Sequence, residues 1–211
     1  MSEVHDSSPV LVGAAQETFR DLDHSRNLVD AFASVIEQSL DIAGKEKLVD
    51  LVDSIYLVPS LAAYMPELHE LMPRNAGIQL GARFGLKNFG TFSADMGGSL
   101  PQDFINRAAD RLAAGESEAI IIVGGELLAT LKKALREGIT LTNWSPGEEQ
   151  FPTMLDVRRD PSYDTERAHG VYAPINAYPV VETALRHRNG FNLEQHQQVI
   201  ASIVSRFSEV A

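Results

Sequence analysis

The sequence predicts an α/β fold, and three observations carry that prediction. Short apolar runs alternate with stretches of helical periodicity, the pattern of strands joined through helices by right-handed crossovers. The run Ile120–Val123 is continuously apolar, as an interior parallel strand covered on both faces requires. Small residues punctuate the alternation, with Gly97-Gly98 before one helical stretch and Gly115 after it.

Taken in order, Val10–Ala15 is an apolar run ending in small residues, with a strand near Val10–Gly13. Leu28, Val29, Phe32, Val35, Ile36 and Leu40 then recur at helical spacing, with Ser25 as N-cap and Gly44 as the stop. Ser54–Val58 is a second strand, closed by Pro59, and Arg74–Phe84 reads as a closely packed helix with Ala76, Gly77, Gly81 and Ala82. Thr91–Ala94 is the third strand. Leu100–Ala114 places Phe104, Ile105, Ala108, Ala109 and Leu112 on one face, so it lies against a sheet whose next strand is Ala119–Val123. Leu127–Arg136 follows as a helix. From Thr140 to Tyr178 the chain is rich in Pro, Gly, Asp and Arg with little periodicity, and an excursion of that length in a compact protein is usually functional. Helix returns from Tyr178 to about His187. Asn192 then caps a last helix with Leu193, Val199, Ile200, Ile203, Val204 and Phe207 on one face.

Composition removes several function classes. The 211 residues are 44% hydrophobic and 22% charged, an ordinary globular balance able to bury a sizeable core. A net charge of −11 with no basic stripe repels a nucleic-acid backbone. No long apolar run predicts membrane insertion, and the polar, acidic start Met1–Ser8 points to the cytoplasm. With no cysteine there is no disulfide, no thiolate metal site and no thiol nucleophile. The six histidines, His5, His24, His69, His169, His187 and His196, include no pair four apart with a glutamate between, so neither a metal nor another cofactor is expected.

The segment from Met96 to Glu126 reads as one piece: Met96-Gly97-Gly98-Ser99-Leu100-Pro101-Gln102, an amphipathic helix, Ala113-Ala114-Gly115, then an apolar strand closed by Gly124-Gly125-Glu126. It resembles the thiolase superfamily, whose strand ends in a Cys-x-Ser-Gly elbow and whose next strand closes in Gly-Gly-x-Glu. The elbow is closest to an acetyl-CoA acetyltransferase-like subgroup with Gly-Gly-Asn/Ser-x-Pro-Gln, which also lacks the nucleophile. The family's spacing, counted back from Gly115, puts Gly98 where the cysteine would stand.

The resemblance implies a thiolase-like layered fold with a mixed sheet, covering the N-terminal half of the family architecture. It divides the chain into an α/β domain over 1–126, a loop-domain-like insertion over 127–190 and a returning helix over 191–211. It implies an acyl-CoA thioester as substrate. It also implies a homodimer, through the strand near Thr91–Ala94, or pairing with another chain. No catalytic residue is identifiable. The candidates for an acyl-CoA pocket are Gly98, Ser99, His169 and Asn176, with Arg158-Arg159 and Lys132-Lys133 as possible phosphate contacts. Two functions follow, an acyl-CoA acyltransferase of acetyl-CoA C-acetyltransferase type or a non-catalytic acyl-CoA-binding or scaffold subunit.

Each candidate has a plainer reading. Ser99 and Gln102 have capping-box spacing, and Pro101 suits a first helical turn. Ser99 is therefore an expected N-cap, the alternative being a hydrolase nucleophile without identifiable partners. Gly97-Gly98 serves either as a tight turn or as an elbow whose amides polarise a thioester carbonyl. Histidines default to surface or core roles.

Overall fold

A computed structural model describes residues 8–44, 48–147, 150–156, 163–171 and 174–210, and these fall into two compact units, 1–158 and 159–211. His5, Arg158 and Arg159 lie outside the described residues.

The first unit is built on four strands: β1 (Val52–Val58), β2 (Gly90–Ser93), β3 (Ala119–Gly124) and β4 (Thr153–Met154), in the order β3-β1-β2-β4. All three pairings are parallel, with Ile55 beside Thr91 on one side and Ile121 on the other. The expected mixed sheet is thus not found among the described strands, because every connection runs through a helix or a long loop and none is a hairpin. The α/β class itself stands.

Four helices cover the sheet: α1 (Leu28–Ala43), α2 (Ala76–Phe84), α3 (Leu100–Ala113) and α4 (Leu128–Glu137). Alternation along β1 decides which helix meets which residue. Ile55 and Leu57 join Phe32, Ile36, Leu80 and Leu131 of α1, α2 and α4 in the larger core. Tyr56 points the other way, onto Leu100, Phe104 and Ala108 of α3. Its ring stands edge-on to Phe92 and to Phe104, with centroids 5.2 Å away in each case.

Three local expectations are corrected. Val10–Gly13 is not a strand; it runs as irregular chain, with Leu11 86% exposed. The segment follows α1 instead: a Cβ on Gly13 would fall 2.3 Å from the Ser39 carbonyl oxygen, and Glu17 accepts from Ser34 Oγ at 2.7 Å and Gln38 Nε2 at 3.2 Å. Ser25 does not cap α1. Asn27 does, in a reciprocal box with Asp30, while Ser25 donates to Asp23. Finally, β3 is an edge strand among the described residues, half-buried from Ala119 to Ile122, buried at Val123 and exposed at Gly124, whereas β2 lies inside, flanked by β1 and β4. Self-association through β2 therefore loses its basis, since Phe92 and Ser93 are already paired with Thr153 and Met154.

The second unit holds α5 (Asp164–Ala168), α6 (Pro174–Arg188) and α7 (Leu193–Val210). Asn192 caps α7 as expected, accepting from the Gln195 N–H at 2.9 Å while Gln195 Oε1 accepts from the Asn192 N–H at 3.0 Å. Among the described residues of this unit His196 is the buried side chain, its Nε2 2.8 Å from Glu182 Oε2 of α6. Among the described residues of this unit no apolar side chain is buried. No described helix is long and apolar enough to cross a membrane.

Candidate functional site

Parallel strands deliver all their carboxyl ends to one rim of the sheet, the usual place for ligands in open α/β folds. In the first unit that rim is formed by Pro59-Ser60 after β1, Ala94 to Ser99 after β2 and Gly125-Glu126 after β3.

Glu126 ties two of these loops together. Its carboxylate accepts from Ser60 Oγ at 2.6 Å and from the Leu61 N–H at 2.5 Å, and Ser60 Oγ in turn accepts from the Ala62 N–H, capping the short turn Leu61–Tyr64. The phenol at the end of that turn reaches the third loop: Tyr64 accepts from the Met96 N–H at 3.2 Å. Beneath them the buried Ser93 hydroxyl donates to the Leu57 carbonyl at 2.8 Å. The polar atoms of the rim thus mostly hold one another in place, which fixes three loops around an apolar floor.

Three hollows at this rim are lined by the described residues. One of about 180 Å³ lies between the ends of β1, β2 and β4, lined by Phe32, Leu57, Tyr64, Met72, Ala94 and Phe151, with Arg74 and Ser60 in its wall. Arg74 is positioned by its backbone N–H on the Pro146 carbonyl and by a side-chain contact of 3.5 Å to the Gly147 carbonyl. A second, about 260 Å³, sits at the end of β3 between Phe19, Leu22, Gly125 and Leu127, and a third, about 270 Å³, lies against Asp95, Met154, Leu155 and Asp156. The smallest of the three is the one lined mainly by apolar side chains, and it reaches Ala94 at the start of the loop that leads into α3. A volume near 180 Å³ suits a group of a few heavy atoms, well below a drug-sized ligand.

The elbow itself departs from the capping expectation. Ser99 adopts helical backbone angles, so its hydroxyl is not offered to the first-turn amides; it donates to Asp103 Oδ2 at 3.0 Å, and no side chain caps α3. Gln102 is not a box partner either and donates to Asn106 Oδ1. Neither Gly97 nor Gly98 has a positive φ, and a Cβ on either would meet nothing within 4 Å. Glycine at position 98 is therefore demanded neither by backbone strain nor by space. At the far end of α3, Gly115 is different: its φ of +70° and the bond from the Glu116 N–H to the Arg111 carbonyl make a left-handed helix stop.

The four pocket candidates fall two in each unit. Gly98 and Ser99 are exposed in the first unit and line none of these hollows. His169 and Asn176 belong to the second unit, where His169 ends α5 and Asn176 Nδ2 donates to the Gly170 carbonyl at 2.8 Å. Lys132 is exposed on α4 and Lys133 half-buried. Sequence reasoning missed Ser60, Tyr64 and Arg74; Ser60, just beyond the end of β1, carried a usable signal, whereas Arg74 lies 16 residues past that strand. Among the described residues no three His, Asp or Glu side chains gather to hold a metal ion.

The opposite rim carries the other polar cluster. Asp53 accepts from Ser117, from Ser54 and from the Glu118 N–H. Partial burial raises its pKa, but those bonds, with Arg111 nearby, outweigh it and hold the carboxyl below its usual value. Arg111 donates to Tyr56 Oη and Ser54 Oγ, both at 3.3 Å, and lies 5.3 Å over the Phe92 ring. This end reads as structural.

Comparison of the chain with family models, with curated proteins and with solved structures finds no match.

Proposed function

We propose that this chain is a thiolase-like, acetyl-CoA C-acetyltransferase-like protein that binds a short acyl-CoA thioester at the carboxyl rim of its sheet. The observation that carries the reading is the elbow between β2 and α3. It keeps the strand–glycine–helix arrangement of an acyl-transfer site, and its residue at the nucleophile position is a glycine that neither φ nor packing requires. The small apolar hollow reaching Ala94 supports a short acyl group as the bound part.

The non-catalytic form of this function is favoured over turnover by one further observation. The Ser60 hydroxyl donates to Glu126 and accepts from the Ala62 N–H, bonds that tie the loops of the rim together and support a structural role for it. A chain of this kind holds an acyl thioester, or completes another subunit's site, without becoming acylated.

Gly98→Cys tests the reading. A thiol at a helix N-terminus feels the positive end of the helix dipole, which lowers its pKa and raises its reactivity. The expected result is stoichiometric acylation by acetyl-CoA, seen by mass spectrometry, and alkylation by iodoacetamide faster than a free thiol, with no turnover of acetoacetyl-CoA. Calorimetry of the unaltered protein with coenzyme A should show binding. A folded variant whose thiol is neither acylated nor unusually reactive, together with no binding of coenzyme A, would sink the proposal.

A further inference from the structure

The hollow between the ends of β1, β2 and β4 contains a single charge. Phe32, Leu57, Met72 and Ala94 are all buried around it, and Arg74 is the one charged residue in its lining. A guanidinium offers five N–H donors and accepts nothing, so it asks for an acceptor partner. Other arginines of this unit have one: Arg26, Arg83 and Arg111 stand 3.8, 2.9 and 3.8 Å from carboxylate oxygens of Glu17, Asp30 and Glu116. Among the described residues no carboxylate pairs with Arg74, whose side chain makes one contact, at 3.5 Å, to the Gly147 carbonyl.

That contact does not account for an arginine here. It is longer than the roughly 2.7–3.2 Å of a good N–H···O bond. The loop it touches is already held by the Arg74 backbone N–H on the Pro146 carbonyl at 2.9 Å, a bond that most residues at this position would make. The side chain nevertheless starts from a fixed point. The next residue, Asn75, is buried, accepts from the Gly77 N–H at 3.1 Å and donates to Thr91 Oγ1 at 2.8 Å.

The other polar groups of the lining sort the same way. Ser60 and Ser93 already donate their protons, to Glu126 and to the Leu57 carbonyl. Tyr64 accepts from the Met96 N–H, and no described acceptor takes its own proton. The hollow therefore joins two available donors to an apolar floor, with no carboxylate in its lining. Its complement is an anionic acceptor on an apolar stem, and a carboxylate can meet the guanidinium fork through two parallel N–H···O bonds. At about 30 Å³ for each water-sized atom, 180 Å³ has room for about six heavy atoms, a carboxylate and two or three carbons beyond it. The protein's net charge of −11 attracts no anion by itself, so affinity for a carboxylate has to arise locally.

We propose that this hollow binds the carboxylate end of a short aliphatic chain, with Arg74 and Tyr64 as donors and Phe32, Leu57 and Met72 around the carbons. A free short-chain acid and the far end of a dicarboxylic acyl thioester carry this same chemistry. The thioester form rests on the acyl-CoA reading above; the carboxylate site does not.

Butyrate and butyramide, equal in size and different in charge, test the site. Methionine-methyl NMR of the unaltered protein near neutral pH should show butyrate shifting Met72 and Met154, which line the hollow, with butyramide about tenfold weaker or more, the size expected for a lost charged hydrogen bond. Arg74→Gln should bring butyrate down to the level of butyramide. If circular dichroism shows that variant misfolded, Ala63→Leu, which fills the hollow, should exclude butyrate instead. Equal binding of the two probes, shifts confined to other methionines, or butyrate binding indifferent to both substitutions would overturn the proposal. Glutaryl-CoA against pentanoyl-CoA then identifies the source of the carboxylate. A preference of about tenfold for glutaryl-CoA that Arg74→Gln removes assigns the site to an acyl chain. Butyrate binding at Arg74 with no binding of either thioester upholds the carboxylate site and sinks the acyl-CoA reading. Equal binding of both thioesters with no butyrate site does the reverse.

Discussion

The two units of this protein solve the same problem to different degrees. In the first, every helix turns an apolar stripe onto the sheet, and Ile55, Leu80 and Phe104 are wholly buried. In the second, three helices carry comparable apolar residues, and none of those described is buried. Capping and helical spacing are good in both, so local signals alone do not make a core. Among its described residues the second unit has no strand, so its helices have no sheet on which to lay an apolar face.

The sharpest way to break this comparison is a matched pair of truncations. Phe104→Ala removes a buried ring packed edge-on against Tyr56, and we expect it to cost about 3–5 kcal/mol at any protein concentration in urea unfolding. Phe207→Ala, on an exposed position of α7, should stay within about 0.5 kcal/mol of the parent protein. A large cost for Phe207 would mean that its ring is covered.

A smaller effect sharpens the account of the first unit. Asp53→Asn should cost about 1–2 kcal/mol near neutral pH by weakening the bonds from Ser117, Ser54 and the Glu118 N–H. Because the folded-state pKa is lowered, this stabilisation is present above the unfolded-state value near 3.8 and is lost as pH falls through the native one. The gap between parent and variant, followed by thermal unfolding, should therefore close on acidification. A gap that widened would contradict the sign of the shift.

Caps separate the units most finely. Asn27→Ala should lower the stability of the first unit by about 1 kcal/mol, whereas Asn192→Ala should fray the start of α7 in hydrogen exchange without moving the first unit's unfolding midpoint. Ser99→Ala should change stability by less than about 0.5 kcal/mol, because this serine caps nothing.

Much of the first unit was legible because its signals are local. Gly44 and Gly115 mark real left-handed helix ends, and Ser54–Val58, Thr91–Ala94 and Ala119–Val123 each mark a strand to within two residues. The errors come from what no local pattern carries. Val10–Gly13 is as apolar as a strand, but whether it enters a sheet depends on a free edge and on Gly13's close approach to α1. Ile120–Val123 reads the same at an edge as inside. Ser99 has capping-box spacing, yet a backbone turned helical one residue early takes its hydroxyl out of reach of the amides. At the site, Glu126 was visible in its motif, while Ser60 and Tyr64 become partners only when β1 and β3 are brought side by side.

The order of the strands also sets a timetable for synthesis. The central strand β1 leaves the ribosome first, and its two neighbours follow on either side, β2 and then β3, which ends 66 residues after Val58. At about 5–20 residues per second, that leaves the apolar central strand without its second neighbour for roughly 3–13 seconds. During that interval α1 and α2 are the cover available to Ile55 and Leu57, and they emerge on either side of β1 in time to supply it. Tyr56 faces the other way and waits for α3. The nascent chain is thus protected on one face before the other, and the face left open longest is the one beneath the Gly97-Gly98 elbow.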